Sequence, residues 1–389
     1  MHLLINAFAA SAGGGLTYIR NVIPLLAITP VRTTVLINSR LRDEFPCLPS
    51  VDFVQLNAPM LRRFWYEQSK LPEVIRRSHA DVLLSTGNFA LRKSPIPQIL
   101  LSRNSIYTCP DYYHDLRLRH EYRALLDTYL RSILAKKSIT WADVTVAPSE
   151  SFAAELRRWT GRDVVAIYHG FDRTAFTADP TPFSAEVGAK LDSAKGALKL
   201  LFVSHYNYYR NFETLIRALP LLRQKLPHCD VKVLLTCYLA AGMNPGDYRP
   251  DTAADLIKSL GVSDMVVELG SVPYQQLHQL YSRSDIYVTP AYTETFAHPL
   301  VEAMSSGLPI AASDIPVHRE ICGNAAVYFP RFSAPELAEA ISQLVALPAE
   351  MKRMASTGSQ RSQLFSWNKH VEKILELAAR LVVSRHAES

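Results

Sequence analysis

Two carboxylates and the start of a short helix offer the clearest chemistry in this chain. Glu294 lies in the run Tyr292-Thr-Glu-Thr-Phe-Ala-His-Pro, and Glu302 follows after seven intervening residues. Pro299 marks the first turn of a helix and Gly307 with Pro309 its end, which puts Glu302 about one turn in. Between the acids lie the amides around Ala297 to Leu300. A helix start gathers N–H groups that lack intrahelical partners, and it binds anions, phosphate above all. Carboxylates beside a phosphate site repel it and need another task. Accepting hydrogen bonds from sugar hydroxyls is one, with one acid on a ribose and the other on a transferred hexose. The plainer alternative is a solvated helix glutamate and an ordinary loop acid, and spacing alone leaves both open.

The elements that must position these groups read as α/β. Asp285-Ile-Tyr-Val-Thr289 is a β-branched and aromatic run suited to a buried strand, so the segment is strand, loop, helix. The chain opens the same way, with an apolar strand at His2–Asn6, a flexible loop from Ala9 through Gly13, Gly14 and Gly15, and a helix carrying Leu16, Ile19, Ile23 and Leu26. That loop lacks the dinucleotide G-x-G-x-x-G spacing and signals a tight turn with close backbone approach. Strand-like runs recur at 34–38, 51–54, 81–84, 98–101, 143–146 and 164–167, then at 199–204, 231–235, 265–268, 309–312, 314–320 and 325–329. Helical patterns separate most of them, as in a parallel sheet.

A chain of 389 residues exceeds what one core organises, and its 48% hydrophobic content fills two. No apolar run reaches membrane-span length, and Met1-His-Leu-Leu lacks the basic flank of a signal peptide, so a cytoplasmic protein is expected, at most associated with the inner membrane face. The five cysteines form no C-x-x-C pair, which argues against a disulfide framework or zinc site. Residues 1–172 hold 21 Lys and Arg against 15 Asp and Glu, while 173–389 hold 21 against 21, so the whole excess of +6 lies in the first half. Two helical patterns there are basic: 64–79, preceded by Arg62 and Arg63, and 115–137, with Leu118, Tyr122, Leu126, Tyr129 and Ile133 as an apolar stripe among arginines and lysines. The stripe is expected to be core and the cations its solvated face. The alternative is a basic amphipathic helix lying on an anionic membrane.

Glu294, Glu302, Ala303-Met304 and Gly307-x-Pro309 resemble the acid pair of the retaining glycosyltransferases of family 4, and the likeness extends from Gly13-Gly14-Gly15 to Trp367. The resemblance implies the GT-B fold: two Rossmann-like domains facing across a cleft, with a C-terminal helix crossing back to the first. The first domain would span 1–175, joined by the helix 366–389, and the donor domain 176–365. It implies transfer of a hexose from a nucleotide diphosphate sugar to an acceptor hydroxyl with retention, assisted by the leaving phosphate. Glu302 would hold the ribose and Glu294 the hexose. Arg210 and the amides near Ala297 to Leu300 would take the diphosphate, with Phe296, His298 and Pro299 also lining the donor site, His205 and Asn211 beside Arg210 and the glycines Gly14 and Gly15 facing it. Val272, in Gly270-Ser-Val-Pro273, would meet the nucleobase through its backbone. Where the family often has a histidine this chain has Arg103 and Asn104, and Asn104 is assigned to a donor or acceptor hydroxyl.

The chain contains no Asp-x-Asp and no convincing ligand cluster, so no metal and no cofactor is expected; the nucleotide sugar is a co-substrate. A sugar or lipid-linked glycan of surface polysaccharide or lipopolysaccharide assembly is the expected acceptor, and no nucleic acid. The alternatives are a soluble disaccharide or small-molecule glucosyltransferase, and a non-catalytic sugar-nucleotide sensor.

Overall fold

The computed structural model describes residues 1–10, 13–57 and 63–388. In chain order it runs β1 (His2–Asn6), α1 (Gly13–Ala27), β2 (Arg32–Asn38), β3 (Val51–Leu56), α2 (Arg63–Ser78), β4 (Val82–Ser85), β5 (Gln98–Leu101), α3 (Pro110–Leu118), α4 (Tyr122–Trp141), β6 (Val144–Ala147), α5 (Glu150–Thr160) and β7 (Val165–Ala166). It continues with α6 (Arg173–Phe176), α7 (Ala185–Ser193), β8 (Leu198–Phe202), α8 (Phe212–Lys225), β9 (Val231–Leu235), α9 (Asp251–Ser259), β10 (Val266–Glu268), α10 (Leu277–Ser282) and β11 (Ile286–Thr289). The remainder is α11 (His298–Ser305), β12 (Ile310–Ser313), α12 (Pro316–Cys322), β13 (Ala326–Phe329), α13 (Ala334–Ala346), α14 (Pro348–Ser362) and α15 (Trp367–Glu388).

Among the described residues the strands form two wholly parallel sheets, ordered β3-β2-β1-β4-β5-β6-β7 and β10-β9-β8-β11-β12-β13. Both are doubly wound, with the order reversing between β1 and β4 and between β8 and β11. In such sheets ligands bind beyond the carboxyl ends of the strands at that reversal. The continuous burial of β1, β4, β5, β11 and β12 follows from helices on both faces.

The chain divides into two compact units. The first comprises 1–109, 116–170 and 366–389, and the second 110–115 and 171–365. The division at 170/171 falls five residues before the sequence boundary, because Arg173–Phe176 is already a helix of the second unit, as is Ala185–Ser193. The first core joins Leu3, Ile5, Ile19, Ile23 and Leu84 to Val371, Ile374 and Ala378 of α15, so the C-terminal helix completes the first unit. The second core gathers Leu201, Tyr281, Tyr287, Phe296, Leu300 and Phe365.

Three local readings need correction. Gly13, Gly14 and Gly15 are the first turn of α1 rather than part of a loop; Ser11 and Ala12 lie outside the described residues, as does Arg62. The pattern 115–137 is two helices, broken where His120 takes φ 56°, a left-handed conformation that ends a helix. Residues 314–320 are mostly α12, since Pro316 suits a helix's first turn and cannot pair inside a sheet.

Gly170 shows how closely α15 is seated. A Cβ there would lie 2.0 Å from the Trp367 backbone nitrogen and 2.4 Å from its Cα. Gly170→Ala is therefore expected to cost roughly 3 kcal/mol, since backbone on both sides must shift. A thermal melt checks this: an unchanged midpoint would show that the approach is not fixed by packing.

Candidate functional site

The second unit brings its candidate residues to the reversal of its sheet. The segment after β8 runs through His205 to Arg210, and the segment after β11 runs through Glu294 to Ala297. Two hydrogen bonds tie the segments together. The Tyr292 N–H donates to the Tyr209 carbonyl (3.0 Å), and the Asn211 side-chain amide donates to the Pro290 carbonyl (3.0 Å). Asn207 begins the turn that presents Arg210, its side chain accepting from the Arg210 N–H (3.1 Å). Asn211 then takes φ 58° and opens α8.

This scaffold places the Arg210 guanidinium on Glu294 as an ion pair, with side-chain exposures of 18% and 10%. A second guanidinium nitrogen, Nε, is buried without a hydrogen-bond partner. Buried polar groups are nearly always satisfied, so an orphaned donor on a buried cation is a place for an anionic ligand. The family resemblance pointed to Glu294 and Arg210 separately, and folding makes them one unit.

Glu302 is not a solvated helix residue. It is 4% exposed, and Tyr281 donates to its Oε2 (2.8 Å). Burial pushes its carboxyl up to about 7, against which the Tyr281 hydrogen bond works only in part. The same burial raises Tyr281 well above its ordinary value, with the Glu302 charge adding to the rise. Tyr281 sits on α10, seven residues past Tyr274, and no spacing in the sequence links it to Glu302.

The helix start of α11 is formed by Ala297 at φ 61° and has no side-chain cap. Fewer amides face outward than the sequence suggested. Pro299 has no N–H, and that of Leu300 donates to the Ala297 carbonyl (3.0 Å), which narrows the stretch at most to Ala297 and His298. Phe296 and Leu300 are each 1% exposed and serve the core with their side chains. Asn211 is also corrected: its amide donates to Pro290 and to the Arg331 carbonyl (2.6 Å), and its oxygen accepts from Thr214 (2.9 Å), so it clamps loops instead of a ligand.

His205 lies three residues past β8 with part of its ring in solvent, and desolvation of the rest together with the Arg210 charge lowers its pKa, leaving it neutral at pH 7. Val272 packs against the second core just before α10, beyond Gly270, whose φ of 78° and contact with Tyr238 admit no side chain. His318, unremarked in the sequence, is fully buried, with Nδ1 on the Ser313 carbonyl (2.9 Å). Burial holds it neutral, with its pKa down to about 4, while Ser313 bonds the Ala291 carbonyl at the root of the Glu294 loop.

In the first unit, Arg103 follows β5 and spans the reversal. It donates to the Gly14 carbonyl (2.7 Å) and the Thr86 carbonyl (2.6 Å), and lies over the Tyr18 ring at 5.2 Å. Burial lowers its pKa to about 10, so it stays charged. A Cβ at Gly15 would meet Ala10 Cα at 3.5 Å and Arg103 Nη2 at 3.6 Å, ordinary contact distances, and at Gly14 it would find open space, so neither glycine is demanded by packing. Asn104 caps the next turn, accepting from the Ile106 N–H (3.3 Å), so its oxygen has a structural task. A groove of about 1430 Å3 runs from Ala9 and Gly87, at the carboxyl ends of β1 and β4, between α2 and α4. Among the described residues no three of His, Cys, Asp and Glu gather as a metal site, and no helix is long and apolar enough to cross a membrane.

Residues 185–361 match the family model described as glycosyl transferases group 1, and residues 12–175 match that of Glycosyltransferase Family 4. A D-inositol 3-phosphate glycosyltransferase from Kineococcus radiotolerans is 28% identical over 271 residues, which are 66% of this chain and 62% of that protein. The chain thus spans under two thirds of that relative's length. Among solved structures, sucrose-phosphate synthase from Thermosynechococcus elongatus superposes with a TM-score of 0.77 at 19% identity, covering 99% of this chain and 100% of the other. HepE from Anabaena, solved in complex with UDP-glucose, gives 0.73 at 17% identity, covering 98% and 100%. At these identities the two structures speak for the fold alone.

Proposed function

From the premise that the chain belongs to glycosyltransferase family 4 and has the GT-B fold, we propose that it moves a hexose from a nucleoside diphosphate sugar to an acceptor hydroxyl with retention. The observation that carries this reading is Arg210, a largely buried cation with a buried, unpartnered Nε, held on Glu294 at the sheet reversal. A diphosphate leaving group develops charge as the glycosidic bond breaks, and a preorganised guanidinium offsets that charge without reorganising. Glu294 then serves twice, fixing Arg210 and accepting from the hexose. Glu302 takes the ribose and the Val272 turn the base. HepE was solved with UDP-glucose, which makes that donor the first one to test here.

The acceptor is a sugar or lipid-linked glycan of surface polysaccharide or lipopolysaccharide assembly, met at an anionic membrane by the basic first half. Incubation with UDP, GDP, ADP and dTDP sugars tests the reading: slow donor hydrolysis without acceptor is expected. Tight binding with intact donor would make the protein a sensor instead. Transfer should also proceed in excess EDTA, with Arg210 and the α11 helix start doing what a cation does elsewhere. Activity abolished by chelation and restored by magnesium or manganese would overturn that account.

A further inference from the structure

α4 is folded with its faces reversed from what the sequence pattern predicts. Thr128, Ser132, Ala135 and Ile139, spaced i, i+4, i+7 and i+11, are buried against the body of the first unit. The apolar residues at the same spacing, Tyr122, Leu126, Tyr129 and Ile133, are 60%, 59%, 55% and 40% exposed. Small polar side chains therefore take the inner face of α4, and the stripe expected in the core is left in water. Scattered exposed apolar residues need no explanation, but a four-residue stripe on one face does.

We propose that this face docks the first unit on an anionic lipid surface, with the stripe entering the interfacial layer and the surrounding cations meeting lipid phosphates. The inference rests on the reading of a membrane-borne acceptor above and names the surface that reading lacks. Composition selects the occupant. Tyr and Trp with Lys and Arg are the residues of a membrane–water boundary, and α4 carries two exposed tyrosines, with Trp65 of α2 72% exposed across the groove. α4 holds Arg123, Arg131, Lys136 and Lys137 against Asp127 alone, and Asp127 is paired to Arg131 at 2.7 Å. Arg92 and Lys93 line the adjoining groove. A second copy of this chain fits poorly, because a two-fold contact through α4 would bring these cations against themselves. The groove is walled by Leu130 and Leu134 of the same helix, so a chain lying on α4 would face that groove to the lipid.

The full chain is floated with vesicles of phosphatidylcholine alone and of phosphatidylcholine mixed with phosphatidylglycerol, at low and high salt. Binding to the mixed vesicles that weakens with salt is expected. L126S with I133S, both at exposed positions outside the groove, should reduce bound protein about tenfold while leaving the thermal midpoint and donor hydrolysis unchanged. R123E with K136E should reduce binding to the mixed vesicles more than the salt effect alone. No recovery with either vesicle, equal recovery with both, or parent-like flotation of the serine variant would overturn the proposal, as would a parent dimer that the serine variant makes monomeric. A parent that hydrolyses donor but does not float removes this inference and leaves the transferase reading; one that floats without cleaving donor does the reverse.

Discussion

Arg210→Ala is expected to lower sugar transfer by roughly a thousandfold, since it removes a largely buried cation placed to meet the leaving diphosphate. A second cost accompanies it. Glu294 is only 10% exposed, and stripping its partner leaves a carboxylate uncompensated, which destabilises by roughly 3 kcal/mol or more. A loss of activity alone is therefore ambiguous. Arg210→Ala combined with Glu294→Gln separates the effects, because the neutral pair restores much of the thermal midpoint while transfer stays lost. Glu294→Gln by itself should spare or tighten binding of the free nucleoside diphosphate, because Arg210 is released to the phosphates, and still lower turnover through the missing hexose contact. A double variant that recovers transfer along with its midpoint would show that Arg210 is structural.

Free nucleoside diphosphate should bind about tenfold more tightly at pH 8 than at pH 6, and Glu302→Gln should abolish the part of that dependence due to this carboxyl. Ribose hydroxyls donate best to a carboxylate, and with a pKa of about 7 the empty site holds Glu302 largely protonated at pH 6 and largely ionised at pH 8. The phosphate's own titration is present in both proteins and cancels in the comparison. Stability moves the other way. The pKa is raised on folding from 4.5, so the folded state binds more protons between that value and about 7, and the parent loses roughly 3 kcal/mol as pH rises through that window. The midpoint of Glu302→Gln should therefore gain on the parent from pH 5 to pH 8. A gap independent of pH, or a parent-like pH profile for nucleotide binding in the variant, would sink the ribose assignment.

Much of the architecture was legible because parallel strands buried on both faces spell apolar runs that turn residues interrupt. Strands β1, β5 and β9 fall where they were expected. What failed was local. α12 was read as strand because Ile315, Val317 and Ile321 suit either period in so short a segment. The α4 stripe was read as core because periodicity reports that a face is apolar and says nothing of what lies opposite it. At the site, Glu294 and Glu302 were visible as an acid pair flanking a helix start, and Arg210 through the family resemblance. The ion pair and the Tyr281 contact were not, since each joins residues far apart in the chain whose meeting depends on the strand order β8-β11 and on α10 packing beside α11. Asn211 looked like a ligand residue for the same reason it is a clamp: an amide beside a buried guanidinium suits either role.

The return of α15 to the first unit sets an order of events on the ribosome. Domains generally complete themselves from the N-terminus as they emerge. Here the first core lacks Val371, Ile374 and Ala378 until α15 has been made, after residues 1–365. His370, which bonds the Tyr18 hydroxyl at 3.0 Å and the Tyr168 carbonyl at 2.8 Å, arrives just as late. The segment 171–365 is nearly self-sufficient and emerges whole before that point. The nascent chain therefore finishes its second half first, and its first half waits with an unfilled groove along α1, where a chaperone would find it.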